Sequence, residues 1–265
     1  IVSEIPFIGD DMKVMLDNDR SLLAESFRIL RTNIGYLLPL KTIGKSPVIF
    51  VTSTIKGEGK TFTSINLGMA YATLGKKVLA IGADLRNPQF HNYTNLEKSH
   101  SGLSNYLFDA SVDWKNLLVK NQFNSPGLDL IFSGVIPPNP AELLSNGRLE
   151  ILLNEAKEEY DYIIVDTAPS LLVTDTLTIS KHADVTLFVV RADFTEKKII
   201  NYSLELKEKN KLRNIAYVLN NVGSNLDGYK YGYAYGYGYG YGEDTVKKSW
   251  FKEFIAKKFN IQKDL

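Results

Sequence analysis

The sequence predicts an α/β fold in which a mostly parallel sheet carries helices on both faces. Two observations predict it. Short β-branched runs that are apolar throughout alternate with longer amphipathic runs, and three of the short runs lead into residues suited to a charged ligand. A strand with no polar face must be covered on both sides, as strands of parallel sheets are. Ligands of such sheets sit at the carboxyl ends of the strands.

The first periodic segment is 20–36, where Leu22, Leu23, Phe27, Leu30 and Ile34 recur at helical spacing. Glu25, Arg28 and Arg31 lie three apart, so they share one side of that helix and leave its apolar stripe free. A solvated charged face and a functional one are both open readings of that triad. Residues 1–18 before it read as an N-terminal linker. Strands are predicted at 48–53, 78–83, 128–132, 162–166, 185–190 and 215–219, with helices between them at 61–74, 141–160, 175–181 and 195–210. Together 19–228 form one domain. It is followed by Tyr229, Tyr231, Tyr233, Tyr235, Tyr237, Tyr239 and Tyr241, a tyrosine at every second position. Spaced by Gly, with one Lys and one Ala, residues 229–242 bury almost no aliphatic surface and are expected to present their phenols as a flexible tail. In 243–265, Val246, Trp250 and Phe254, and likewise Phe251, Ile255 and Phe259, recur at four-residue steps. That spacing predicts a short amphipathic helix able to dock on the domain, a partner or a lipid surface.

Composition narrows the function. A formal net charge of +1 gives no support to a nucleic-acid partner read through bulk electrostatics. The absence of cysteine removes disulfides, thiolate metal sites and iron–sulfur chemistry. His91, His100 and His182 show no ligand spacing. No apolar run reaches the roughly 18 residues that a membrane helix needs. Beginning Ile1-Val2-Ser3, the chain reads as a piece of a longer protein.

Strand 48–53 runs into Thr54-Ile55-Lys56-Gly57-Glu58-Gly59-Lys60-Thr61 and then a helix. This is a phosphate loop, although Thr54 stands where the first glycine of the pattern is usual. Gly57 and Gly59 permit the torsions that turn N–H groups toward an anion, and the helix N-terminus adds its partial positive charge. Lys56, Gly57, Glu58, Gly59, Lys60, Thr61 and Phe62 are the expected nucleotide contacts. Lys60 would reach the β- and γ-phosphates, and the Thr61 hydroxyl would ligate Mg²⁺. Two further strands deliver Asp84 and Asp166 at their carboxyl ends, beside such a loop, where a carboxylate can hold Mg²⁺. ATP and Mg²⁺ are therefore the expected cofactors. Asn220, ending the last strand, suits an adenine edge with a donor and an acceptor, and equally an ordinary turn. Arg86 would neutralise phosphate or pair with an acid.

The phosphate loop, the Asp84-Leu85-Arg86 and Val165-Asp166-Thr167 elements, the segment 134–144 and the tyrosine tract together resemble the cytoplasmic kinase domain of bacterial tyrosine autokinases. The relation extends to partition and division-site ATPases, which lack the tyrosine cluster. The resemblance implies a P-loop fold and an ATP- and Mg²⁺-dependent kinase of exopolysaccharide or capsule assembly. It assigns catalysis to Lys60, Asp84 and Asp166, the metal to Thr61, Asp84 and Asp166, and the phosphoacceptor role to the seven tail tyrosines. It further implies that Glu25, Arg28 and Arg31 pack against the neighbouring subunit of a homo-oligomeric ring, an octamer among its forms, so that phosphorylation runs in trans. A membrane activator segment, fused upstream or on another chain, and a phosphotyrosine phosphatase are the implied partners. The implied location is the cytoplasmic side of the bacterial inner membrane.

Two positions depart from that family. Its middle motif carries a first aspartate where this chain has Gly82, so Asp84 is left as the candidate base. Ile55 stands where the partition ATPases carry an extra lysine, and Lys56 is one position too late to replace it. Two other readings stay open on the sequence: a nucleotide-switched positioning or assembly ATPase without kinase activity, and a catalytically weakened scaffold marked by Gly82.

Overall fold

A computed structural model describes residues 1–9, 14–38, 46–94, 96–97, 100–171 and 173–223. The chain divides into a unit of Val2–Ser224 and a second of Ile1 with Asn225–Leu265. The tyrosine tract and the predicted C-terminal helix lie outside the described residues. The first unit is built on seven parallel strands: β1 Ser3–Pro6, β2 Val48–Ser53, β3 Val78–Gly82, β4 Leu128–Ile131, β5 Tyr162–Asp166, β6 Val185–Arg191 and β7 Ile215–Val222. They lie in the order β1-β7-β6-β2-β5-β3-β4. All six predicted strands are present. β2 sits at the centre, with β5 and β3 on one side and β6 and β7 on the other. Their loops part there, which is where doubly wound sheets hold ligands.

Every residue of β2 is buried, and its side chains alternate between two cores with the period of two that a pleat imposes. Val48 and Phe50 face a core shared with Leu103, Leu144, Leu152 and Ile179. Ile49 and Val51 face the opposite core with Phe27, Leu30, Ile65 and Met69. Helices therefore cover both faces: α1 Leu22–Leu37 and α2 Lys60–Ala72 on one, α3 Leu103–Phe108, α4 Pro140–Ser145, α5 Arg148–Ala156 and α6 Asp175–Ile179 on the other. α7 is Lys197–Glu208. α1 starts where Ser21 accepts from the Ala24 N–H at 3.2 Å, satisfying one orphan donor of the first turn. It docks on α2 through an edge-on contact of Phe27 with Phe62, centroids 5.9 Å apart. No helix among the described residues is long and apolar enough to cross a membrane.

Two expectations need correction. Within the predicted linker 1–18, Ser3–Pro6 pairs with β7, Ser3 opposite Val218 and Glu4 opposite Leu219. Its Ile5 is fully buried, Ser3 Oγ donates to the Ser26 carbonyl at 3.0 Å, and Asn33 Nδ2 donates to the Val2 carbonyl at 2.6 Å. Four residues ending in Pro carry no periodicity, and Pro is tolerated because this strand lies at the sheet edge. The single helix predicted over 141–160 is two, broken at Gly147, whose φ of +88° no L side chain adopts readily. Nothing lies within 4 Å of where a Cβ would sit there, so only backbone strain opposes a side chain. Gly147→Ala is therefore expected to lower stability by about 1–2 kcal/mol in urea denaturation without altering ligand binding. A neutral result would show that the α4–α5 break is held by neighbouring contacts instead.

Candidate active site

The loop between β2 and α2 is shaped by its own residues. Gly57 and Gly59 have φ of +88° and +99°. Glu58 is fully buried; its Oε2 accepts from the Ile55 N–H at 2.7 Å and its Oε1 from the Thr195 hydroxyl. Burial pushes its carboxyl up, against the pull of those hydrogen bonds and Lys60. The Glu58 side chain thus braces the loop from within rather than facing a ligand, and only its backbone faces outward as the sequence suggested. No described residue accepts from the N–H groups of Glu58, Gly59, Lys60 or Thr61. Four unpaired donors at a helix N-terminus form an anion site. Lys60 is buried beside them, while Lys56 is exposed.

Behind the loop, the Thr61 hydroxyl donates to Asp166 Oδ2 at 2.6 Å, and Asp166 Oδ1, buried, has no hydrogen-bond partner among the described residues. Burial pushes the Asp166 carboxyl up to about 7. The Lys60 ammonium, the Thr61 hydroxyl and nearby Ser64 pull it down, and Asp84 pushes it further up. Asp84 is also buried, its Oδ1 accepting from the Arg86 and Asn87 N–H groups at 3.2 and 2.9 Å. Its carboxyl is raised by burial and lowered by those bonds and Lys60. Lys60, Thr61, Asp84 and Asp166 therefore converge as the sequence predicts. An orphaned carboxylate oxygen and a hydroxyl are hard oxygen donors of the kind that suits Mg²⁺. Arg86 is committed elsewhere: its Nε and Nη2 pair with the buried Asp175 carboxylate at 2.7 and 3.0 Å. Gly82 lies opposite Asp166 in the sheet, and a Cβ there would be 2.7 Å from Ser133 Oγ. A hydroxyl from the end of β4 fills the room a carboxylate would need.

A cleft of about 310 Å³ opens beside the loop, lined by Phe62, Tyr93, Arg191, Asn220 and the 6–9 segment. Burial, with the Asp166 charge adding, pushes the Tyr93 phenol up to about 12. Asn220 lines this cleft, and its Nδ2 donates to the Glu58 carbonyl at 3.0 Å. Arg191 and Thr195, which also hold the loop, carry no motif in the sequence. On α1, Arg28 pairs with Glu25 at 3.3 Å and donates to the Asp19 carbonyl at 2.5 Å, while Arg31 donates to the Ala70 carbonyl of α2. The charged side of α1 is thus partly spent within its own chain. The seven tail tyrosines lie outside the described residues.

Residues 46–222 match the family described as AAA domain. Tyrosine-protein kinase YwqD of Bacillus subtilis strain 168 is 38% identical over 185 residues, 70% of this chain and 75% of that protein. Tyrosine-protein kinase etk of Escherichia coli K12 is 35% identical over 218 residues, 82% of this chain, which spans only 28% of etk. The solved kinase domain of E. coli ETK aligns with a TM-score of 0.75 at 29% identity, covering 89% of this chain and 94% of that one. MinD of Pyrococcus horikoshii, solved with Mg-ADP, shares the fold at a TM-score of 0.56 and 20% identity over 68% of this chain and 72% of MinD. The chain belongs to this AAA-type P-loop family and, within it, to the bacterial tyrosine-protein kinases.

Proposed function

We propose that this chain is the kinase domain of a protein tyrosine autokinase that moves the γ-phosphoryl group of Mg-ATP to its own tyrosine tract, in trans within a homo-oligomeric ring. The observation that carries it is the buried Thr61–Asp166 hydrogen bond behind four N–H donors that no described residue engages, with Lys60 and Asp84 alongside. The relatives named as tyrosine-protein kinases support the same reading. Thr61 and Asp166 would hold Mg²⁺, which when bound neutralises charge on the β- and γ-phosphates. The loop N–H groups and Lys60 grip those phosphates. A tyrosine oxygen forms the new bond to the γ-phosphorus, the bond to the β–γ bridging oxygen breaks, ADP leaves, and the phenol proton passes to the Asp84 carboxylate. Asp84 is a better proton acceptor than an exposed carboxylate because burial raises it. A loose transition state asks mainly for alignment and charge neutralisation, so a weak base suffices.

Tyr229 and Tyr241 lie about 8 and 20 positions past Asn221, a reach on the order of 25–70 Å at about 3.4 Å per residue. Each phosphate adds about −1.5 to −2 charges, so several within the tract repel one another and loosen the ring. Glu25, Arg28 and Arg31 would form the ring contact. A membrane activator segment, fused upstream or on another chain, and a phosphotyrosine phosphatase complete a cycle that regulates exopolysaccharide or capsule assembly at the cytoplasmic face of the inner membrane. Incubation with Mg-ATP followed by mass spectrometry is expected to find several phosphates on 229–241, and Lys60→Met to reduce them at least about 100-fold. A Lys60→Met chain should still be labelled by added native chain, and sizing should report a smaller assembly after phosphorylation. Absent phosphotyrosine, or labelling indifferent to Lys60, sinks the kinase reading. An assembly unchanged by phosphorylation sinks the ring switch alone.

A further inference from the structure

Two side chains from the second half of the chain hold the phosphate loop by its carbonyls. Arg191 Nη1, at the end of β6, donates to the Gly57 carbonyl at 3.0 Å, and Asn220 Nδ2, on β7, donates to the Glu58 carbonyl at 3.0 Å. The described residues have no cis peptide, and in a planar trans peptide the carbonyl and the N–H point in opposite directions. Fixing the Gly57 carbonyl therefore aims the N–H of Glu58, and fixing the Glu58 carbonyl aims the N–H of Gly59. Those are two of the loop donors for which no described residue is an acceptor.

Both anchors are themselves held. The Arg191 guanidinium lies 5.1 Å over the Phe194 ring, which also rests 3.4 Å from where a Gly57 Cβ would sit. The Arg191 N–H donates to Thr195 Oγ1 at 3.0 Å, and that hydroxyl donates onward to the buried Glu58 carboxylate. Asn220 enters the space that a Gly59 side chain would fill, since a Cβ there would stand 2.1 Å from its Nδ2. Arg191 and Asn220 also line the cleft beside the loop. A group filling that cleft touches the same two residues that aim the phosphate donors.

We propose that Arg191 and Asn220 are positioning residues for phosphate binding, which orient the Glu58 and Gly59 N–H groups and tie the adjoining cleft to the grip on the phosphates. The proposal rests on the nucleotide reading above. It is separated from simple base recognition by a ligand that has phosphates and no base. Calorimetry on the full chain with Mg-ATP, magnesium tripolyphosphate and adenosine supplies that comparison. Arg191→Ala and Asn220→Ala are each expected to weaken tripolyphosphate binding about tenfold, the loss of one hydrogen bond that organises a charged site. Arg191→Lys, which keeps a donor, is expected to recover most of it. Arg191→Met keeps an apolar stem against Phe194 and drops the donor, so it carries the same tenfold expectation if the alanine variant does not fold. Tripolyphosphate affinity unchanged in the folded variants, with only ATP or adenosine binding reduced, would make the two residues base contacts and overturn the proposal. A native chain that binds neither ATP nor tripolyphosphate would instead overturn the nucleotide reading, and this proposal with it.

Discussion

Gly59→Ala is expected to weaken Mg-ATP binding about 100-fold while leaving the sheet and its cooperative melting in place. Two costs add at this position. At φ of +99°, an alanine sits in left-handed backbone that is unfavourable by about 1–2 kcal/mol. Its Cβ would also stand 2.1 Å from Asn220 Nδ2, so the amide must leave the Glu58 carbonyl, which forfeits about another 1 kcal/mol. Together these come to about two decades in affinity. Gly57→Ala supplies the comparison: its φ is +88°, but its Cβ meets only the Phe194 ring, at 3.4 Å. The backbone cost is then nearly alone, and the loss should be about tenfold. Equal losses in the two variants would show that displacing Asn220 contributes nothing.

Asp166→Asn is expected to reduce tail labelling by about two to three orders of magnitude, the usual effect of deleting one member of a preorganised charged site. The amide oxygen can still accept from Thr61, so the fold should survive the change. The native carboxyl, pushed up to about 7 by burial, makes the effect visible without catalysis. The folded chain keeps a proton that the unfolded chain releases near 3.8, so folding takes up protons between those values. The stability that Asp166 contributes to the metal-free chain is therefore full below about pH 3.8 and is lost as pH rises through 7. Glu58 and Asp84, also raised by burial, act with the same sign. Mg²⁺ has to displace the Asp166 proton, so its affinity should climb about tenfold per pH unit below 7 and then level off. Melting in EDTA between pH 5 and 8 tests this: the native midpoint should fall with pH, and Asp166→Asn should fall less. A native midpoint that rises across the interval would refute the burial account of Asp166.

The parts of the site legible in the sequence are those whose chemistry is local. Gly57 and Gly59 announce their torsions, and Asp84 and Asp166 announce themselves as strand ends because β3 and β5 are apolar up to that point. Six strands were legible for the same reason. β1 was not, since Ser3–Pro6 becomes a strand only through partners on β7. The donors that shape the loop were equally hidden. Arg191 meets Gly57 across 134 positions and Asn220 meets Glu58 across 162. Nothing near either residue in the sequence signals such a contact: the place of Asn220 at a strand end suits an adenine edge and an ordinary turn equally, and neither reading points to the Glu58 carbonyl. Glu58 is legible as a loop residue in a position to contact a nucleotide, but not the inward turn of its carboxylate toward Ile55 and Thr195, which leaves only its backbone for that contact. Gly82 was legible as a missing carboxylate, but the hydroxyl that fills its room comes from Ser133, at the end of another strand.

The pairing of β1 with β7 joins the two ends of the described domain. During synthesis, Ser3–Pro6 leaves the ribosome well before its partner and must wait for Ile215–Val222, more than 200 residues later, before it has a sheet edge to join. Contacts of such separation close slowly, because a long loop has to be ordered before any pairing repays it. Until then the β6 edge of a nascent chain is open to strand addition by other chains. The edge is sealed only when the last strand, and with it the start of the tyrosine-bearing segment, has been made. A chain cut short of β7 would therefore lack both the seat for Ser3–Pro6 and the tyrosine tract that follows β7 in the sequence.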